Sequence, residues 1–347
     1  MASQMSLAEL ELVDVGTPGS QVVAVLEEPG RISTHFAKVP EPGPGQVRVK
    51  IKWVGVCGSD VEAFRGARQP EFLSMPVRLG HEVAGTIDRV GADVTGLRPG
   101  MKVSCRYVWG AFAEYIVCEP FNVKVLPEDF PLEQVSLIEI LPGVIHAAEL
   151  CRIDASKTVL ITGQGVSGLV LTQVISRFSP KRLAVTDLKP ENLEIAKRYG
   201  ATDTFLIPDA DTPTMEVAGG AFPDGFDVVV PCLLEGDGMI DAVNASAFGG
   251  KIVMYGCIGT CNRPFDFFKV HRKRLEIYST EPRSDVAMRR YFHEGVQMVL
   301  DGLVNTHEIV TDLVPLADVQ RAFDLRNTYD NDTIHVLVDC ESPDIPA

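Results

Sequence analysis

The hexapeptide Gly163-Gln164-Gly165-Val166-Ser167-Gly168 constrains this chain more than any other stretch. It follows an apolar segment, Thr158–Ile161, that reads as a buried strand, and opens a second, Ser167–Phe178, that reads as a helix. In that setting the three glycines have separate jobs. The first allows a tight turn, and the second lets backbone approach a pyrophosphate. The third lets the helix pack close to the strand, with phosphates at the helix N-terminus. G-x-G-x-x-G alone is weak in a chain with 30 glycines; its place between strand and helix gives it weight. The next strand, Leu183–Asp187, ends in an acid 19 residues after Gly168. A carboxylate there accepts hydrogen bonds from adenine-ribose hydroxyls and repels a 2′-phosphate. The pattern predicts a dinucleotide site that favours NAD over NADP, a preference that Lys189 weakens slightly.

Strand and helix patterns alternate from about Lys157 to Ser279. Strands are expected at Thr158–Ile161, Leu183–Asp187, Phe205–Ile207, Phe226–Pro231, Lys251–Tyr255 and Glu276–Ser279, and helices at Ser167–Phe178, Glu191–Tyr199 and Met239–Phe248. Such alternation implies an α/β fold with a doubly wound parallel sheet. From Gln21 to about Leu126 the chain instead shows short strands between Gly/Pro turns: Gln21–Leu26, Gln46–Trp53, Glu82–Val90, Lys102–Tyr107 and Ala113–Val117. That spacing predicts a small β-barrel or sandwich. A helix at about Val286–Leu300, another at Leu316–Arg326 and a strand at Thr333–Val338 are expected to return to this first domain. The predicted domains are therefore 1–150, completed by about 285–347, and a dinucleotide-binding domain at 151–284.

Composition bounds the function. The 347 residues are 46% hydrophobic and 23% charged, the profile of a soluble globular protein. A net charge of −15 argues against nucleic-acid and anionic-membrane partners. No apolar run approaches the ~18–20 residues of a transmembrane helix, and no secretory signal pattern opens the sequence. Eight cysteines without a CxxC pair predict reduced thiols in a cytoplasmic protein. The densest basic cluster, His271-Arg272-Lys273-Arg274, is expected on a solvated loop.

Three residues far apart carry the chemistry: Cys57 in Cys57-Gly58-Ser59-Asp60, His81 in Gly80-His81-Glu82, and Glu139 in Ile138-Glu139-Ile140-Leu141. A thiolate, an imidazole and a carboxylate make a ligand set for a catalytic zinc, which takes three protein ligands and keeps a fourth position open. Each residue alone would be ordinary; their local sequences make the case.

Those sequences resemble the zinc-dependent medium-chain dehydrogenase/reductase family, which includes alcohol, sorbitol and threonine dehydrogenases. Val54-Gly55-Val56-Cys57-Gly58-Ser59-Asp60 is similar to its first-ligand loop and Leu79-Gly80-His81-Glu82-Val83-Ala84-Gly85 to its second-ligand motif. Glu139-Ile140-Leu141 matches the third-ligand position of its polyol branch, usually Glu-Pro-Leu. The resemblance runs from about Gln21 to Asp339. It implies a GroES-like β-barrel catalytic domain and a Rossmann domain, with the active site in the cleft between them. Zinc is expected on Cys57, His81 and Glu139, with Glu82 a close competitor for the third position, as a ligand or just behind the metal. Ser59 takes the family's proton-relay hydroxyl position. Glu62 stands where many alcohol dehydrogenases place a relay histidine, so either Glu62 or solvent receives the proton. On the cofactor side, Gly249-Gly250-Lys251, Gly256 and Cys257 are similar to loops near the nicotinamide. Ser279 falls where backbone meets the carboxamide, and His335 near a pyrophosphate contact.

The four-cysteine lobe of two-zinc members is absent between Lys102 and Glu114, which implies one zinc per chain. Tyr107 and Trp109 are expected to fill the gap. Phe64, Trp109 and Phe112 are candidate apolar walls, with core packing the equal alternative, and Glu62, Arg106, Glu281 and Arg283 are candidate polar lining or ordinary surface charges. The acidic third ligand points to a hydroxylated small-molecule substrate: a polyol, sugar, cyclitol or related secondary alcohol. A homodimer or homotetramer is the family's habit. An enone or quinone reductase of the zinc-free branch, a redox-neutral NAD-using epimerase, and a non-catalytic dinucleotide-binding protein are the alternatives.

Overall fold

A computed structural model of the chain describes residues 10–67, 73–134, 136–233, 236–256, 261–280 and 285–341. The chain divides into two units. One holds the described residues up to Glu139 and from Ile309 onward; the other is Ile140–Glu308.

The first unit begins with an antiparallel hairpin, β1 (Ser20–Glu28) and β2 (Arg31–Lys38). β3 (Val47–Gly55) leads into the short helix α1 (Gly58–Phe64), and β4 (Glu82–Val90), β5 (Lys102–Cys105), β6 (Tyr115–Cys118) and β7 (Val123–Val125) follow. Strand β2 is hard to see in the sequence because Arg31–Lys38 is mostly polar, with only Ile32 and Ala37 buried.

The second unit opens with α2 (Leu141–Cys151). Its Pro142-Gly143 start imitates a turn, although proline is well suited to the first turn of a helix. Then come β8 (Thr158–Thr162), α3 (Val166–Ser176), β9 (Arg182–Asp187), α4 (Pro190–Arg198), β10 (Asp203–Leu206), α5 (Thr214–Ala218), β11 (Phe226–Pro231), α6 (Gly238–Ala245), β12 (Ser246–Met254), α7 (Phe267–Lys273), β13 (Glu276–Ser279) and α8 (Asp285–Leu300). The six strands are parallel in the order β10-β9-β8-β11-β12-β13, with the order reversing between β8 and β11. This is the expected doubly wound sheet. Its central strands carry continuous buried apolar runs, Val159–Ile161 in β8 and Val228–Val230 in β11, because helices cover both faces.

The chain then returns to the first unit through β14 (Val310–Pro315), α9 (Val319–Asn327) and β15 (His335–Asp339). The resulting seven-stranded sheet runs β14-β15-β3-β4-β5-β7, with β6 also on β3. Helix α8 does not return with it. It belongs to the second unit with α2, because Glu149 of α2 pairs with Arg290 (2.7 Å) and accepts from the Tyr291 hydroxyl (2.6 Å), and Gly295 lets the Leu141 side chain close in. The expected boundaries at 150 and 285 therefore move to 139/140 and 308/309.

The cluster His271-Arg272-Lys273-Arg274 is not on a loop. Its first three residues end α7, and Lys273 donates to the carbonyls of Val243, Asn244 and Ser246 at the end of α6. A cation satisfies orphan carbonyls there. Among the described residues, no helix is long and apolar enough to cross a membrane.

The returning segment is locked to the first unit by aromatic packing. Phe323 of α9 is fully buried, with its ring 5.2 Å from that of Phe64 and 5.4 Å from that of Phe112. Of the two readings open for Phe64 and Phe112, pocket wall or core, the structure gives core. Phe323→Ala should cost about 3–5 kcal/mol through lost burial and a residual cavity, measured by denaturant unfolding. A cost below about 1 kcal/mol, the range of ordinary surface changes, would contradict this packing role.

Candidate metal centre and dinucleotide loop

Strand register builds the metal centre. β3 and β4 are antiparallel with Gly55 opposite Glu82, so the end of β3 and the start of β4 lie together. Cys57 follows two residues after Gly55 as the N-cap of α1, and His81 immediately precedes Glu82. One donor atom from each of Cys57, His81 and Glu82 lies within 4.8 Å of the others. Among the described residues this is the one such convergence of three His, Cys, Asp or Glu donors. His81 and Glu82 are buried and Cys57 is partly buried.

Glu139 does not join them. Its carboxylate pairs with Arg106 at 3.0 Å, and Arg106 also donates to its carbonyl. The structure thus gathers Cys57, His81 and Glu82 and holds Glu139 on a cation. Arg106, a candidate for substrate lining, is engaged in that pair.

A residue not singled out from the sequence organises the centre. Asp60 is 1% exposed; its Oδ2 accepts from the Cys57 N–H (3.2 Å) and its Oδ1 from the Gly80 N–H (3.2 Å). One carboxylate therefore joins both ligand-bearing segments, and its Oδ1 stands 3.6 Å from His81 Nδ1. The signal was an acid three residues after the N-cap, the capping-box position. His335, the first residue of β15, is fully buried with Nε2 3.1 Å from Glu82 Oε2. Gly55 permits this approach: a Cβ there would stand 2.0 Å from Glu82 Oε2 and 2.6 Å from His335 Nε2.

Burial and mutual charge set the protonation states. Burial, then the Glu82 carboxylate, push the Cys57 thiol up. Burial pulls His81 down, but Asp60 and then Cys57 outweigh it and hold the imidazole well above its ordinary range. Burial would raise Glu82; the facing His335 and then His81 more than offset it, leaving its carboxyl below the usual range.

These residues fit a metal. His81 Nδ1 and Glu82 Oε2 are buried without a directed hydrogen bond, a costly state that a cation would relieve. A thiolate, an imidazole and a carboxylate suit zinc with an open fourth position.

Ser59 and Glu62 lie on α1, both partly buried. The Trp109 ring lies 4.7 Å from the His81 ring, beside the candidate ligands. Tyr107, in the left-handed region at φ 59, lies under the Arg106 guanidinium.

In the second unit the glycine loop stands at the C-terminal end of β8, where the strand order reverses, the usual ligand crevice of such sheets. Gly163 turns at φ +83, and a Cβ on Gly168 would stand 1.9 Å from the Gly163 carbonyl oxygen. Gly165 is the N-cap of α3 with no side-chain cap, so the first-turn N–H groups of Val166, Ser167 and Gly168 have no capping side chain to satisfy them. Asp187 ends β9 as expected. Its Oδ2 accepts from the Gln164 N–H (2.5 Å), and its Oδ1 accepts from the Lys189 N–H (2.8 Å) and Asn192 Nδ2 (3.2 Å). Burial nevertheless raises its pKa. Gln164, unremarked in the sequence, is buried and bridges the Gly163 carbonyl and the Thr172 hydroxyl.

Gly256 follows β12 beside Cys232, at this same end of the sheet: its N–H donates to the Pro231 carbonyl and the Cys232 N–H to that of Thr162. Gly249-Gly250-Lys251 does not reach it. Lys251 pairs with Val228, which pairs with Val159 at the start of β8, so the parallel register puts this stretch at the opposite end. Ser279 closes β13, while Cys257, Glu281 and Arg283 lie outside the described residues.

Residues 43–128 match the alcohol dehydrogenase GroES-like domain, and residues 168–302 match the zinc-binding dehydrogenases. The chain belongs to the zinc-dependent medium-chain dehydrogenase/reductase family. It is an oxidoreductase of alcohol dehydrogenase type, with a GroES-like unit and a Rossmann unit. Sorbitol dehydrogenase of Bacillus subtilis is 26% identical over 350 residues, covering 92% of this chain and 98% of that one. Two solved structures share the fold. A zinc-binding dehydrogenase from Sinorhizobium meliloti bound to NADP has a TM-score of 0.79 at 23% identity. An Escherichia coli protein titled a short chain alcohol dehydrogenase, complexed with NADH, has a TM-score of 0.80 at 23% identity. Each comparison covers 92% of this chain and 99% of the other.

The loop of this family member tolerates no side chain at its third glycine. Gly168→Ala should weaken dinucleotide binding about tenfold or more, the factor that ~1.4 kcal/mol represents, with the circular dichroism spectrum unchanged. Fluorescence titration with NADH checks this; wild-type affinity would refute the steric account.

Proposed function

We propose that this protein is a zinc- and NAD-dependent dehydrogenase that interconverts a secondary alcohol and its ketone, with a polyol, sugar or cyclitol as substrate. The convergence of Cys57, His81 and Glu82, with His81 Nδ1 and Glu82 Oε2 buried and without a directed hydrogen bond, carries this reading. Cys57, His81 and Glu82 would hold one zinc per chain, and the Gly163–Gly168 loop the pyrophosphate. Bound there, zinc would supply a Lewis acid at the substrate oxygen and NAD a hydride acceptor.

The chain's own residues do the rest. Ser59 Oγ takes the alcohol proton and passes it outward, with Glu62 on the same helix as the acceptor that replaces a relay histidine. Trp109, stacked beside His81, keeps bulk water from the ligands. Asp187 supports NAD, because its buried carboxylate beside the glycine loop opposes a 2′-phosphate. The polyol class is supported by the likeness to a sorbitol dehydrogenase. A homodimer or homotetramer is the proposed assembly and the cytoplasm the proposed location. The seven described cysteines, all free, support a reducing compartment.

Elemental analysis should find about one zinc per chain, the number that one three-ligand centre holds. Cys57→Ala should remove the metal and the activity together. A polyol and cyclitol panel followed by NADH absorbance identifies the substrate; a zinc-free protein, or a Cys57→Ala variant at full rate, would sink the reading.

Protonation gives a further check. Metal-free Cys57 and His81 both titrate above their ordinary values, so near neutrality both carry protons that zinc must displace. Zinc uptake should therefore release protons, and apparent affinity should rise with pH across the neutral range. Calorimetry in buffers of different ionisation enthalpy measures this; pH-independent uptake without proton release would contradict it.

A further inference from the structure

The segment that returns after the second unit carries a cation to the back of the metal centre. Arg326, in the last turn of α9, is partly buried. Its Nε donates to the Val56 carbonyl (3.2 Å) and its Nη1 to the Ile334 carbonyl (2.6 Å). Val56 is the residue before Cys57, and Ile334 is the residue before His335. Val56 is also held through its preceding peptide, since its N–H donates to the Val336 carbonyl at 3.0 Å. One guanidinium thus spans the backbone entering the Cys57 position and the backbone entering the His335 position. His335 in turn stands 3.1 Å from Glu82 Oε2.

We propose that Arg326 is a positioning residue for the metal centre: by clamping the Val56 and Ile334 carbonyls it fixes where Cys57 and Glu82 present their donor atoms. This rests on the zinc reading above and goes beyond it by assigning a role to the C-terminal segment. A planar guanidinium suits the task because its fork reaches two carbonyls in a fixed geometry, which a lysine ammonium on a flexible stem does not reproduce. Its positive charge also attracts a Cys57 thiolate and the Glu82 carboxylate, the two groups that must be anionic when a metal binds. Outer partners of this kind typically contribute 10–100-fold in metal affinity.

Arg65 supplies an internal control. It ties the end of α1 to the same helix end through Asn327 and Tyr329. The experiment compares wild type, Arg326→Met, Arg326→Lys and Arg65→Met. Zinc affinity is measured by chelator competition, cobalt-substituted spectra report the thiolate-to-metal and d–d bands, and metal-free melting reports the fold. Arg326→Met should bind zinc about 10–100-fold more weakly, with displaced cobalt bands. Arg326→Lys should recover part of that loss, and Arg65→Met should lower the metal-free melting temperature while keeping wild-type zinc affinity and cobalt bands. If Arg326→Met melts lower yet binds zinc and cobalt as wild type does, the role is merely structural and the proposal falls. Should Arg326→Met not fold, Arg326→Lys decides: wild-type affinity and bands overturn the proposal, weakened affinity with shifted bands supports it. A wild-type protein that takes up no zinc removes the metal reading itself, a result distinct from variants that bind as wild type.

Discussion

Placing a thiol, an imidazole and a carboxylate within 4.8 Å of one another in a protein interior is the constraint on which the first unit depends. Charges and polar groups without partners are expensive to bury. Asp60 holds both ligand-bearing backbones and faces His81, while His335 faces Glu82. Those arrangements need β3, β4 and β15 in one register and leave no room for a side chain at Gly55. The surrounding sheet and the Phe64–Phe112–Phe323 cluster supply the rigidity that keeps like and unlike charges where they balance.

The second unit solves a different problem. A dinucleotide loop needs backbone N–H groups left over for phosphate, and so must satisfy its remaining groups internally. Gln164 and Asp187 do this, binding the loop to α3 and to the end of β9. The parallel sheet then decides which other segments share that end. It brings Gly256 there and sends Gly249-Gly250-Lys251 to the opposite end of the strands. Asp187 thus has a structural task beside its expected electrostatic one, which explains why it accepts three protein hydrogen bonds.

Much of this was legible in the chain. The apolar strands and the glycine loop declared the doubly wound sheet, because buried parallel strands need continuous apolar runs. The motifs around Cys57 and His81 declared the metal centre. Asp60 and Gln164 lay inside those same motifs unremarked, since their roles depend on which backbone groups they meet. Strand β2 escaped because only one face of a hairpin is buried, and α2 because Pro142-Gly143 reads as a turn. The polar side of Arg106 offered no hint that it would claim Glu139.

The sequence by itself determined the two kinds of domain, the glycine loop, and the local identities of the candidate ligands, because these rest on periodicity and short-range spacing. Tertiary structure alone decided which carboxylate joins Cys57 and His81. Glu82 is placed by the β3–β4 register, and Glu139 is held on Arg106; nothing within either local motif contains that choice. It also decided that His335 and Arg326, some 270–280 residues from Cys57 along the chain, stand behind the centre. The physical reason is that an antiparallel partner strand and a returning helix bring distant charges into contact only once the sheet has closed around them.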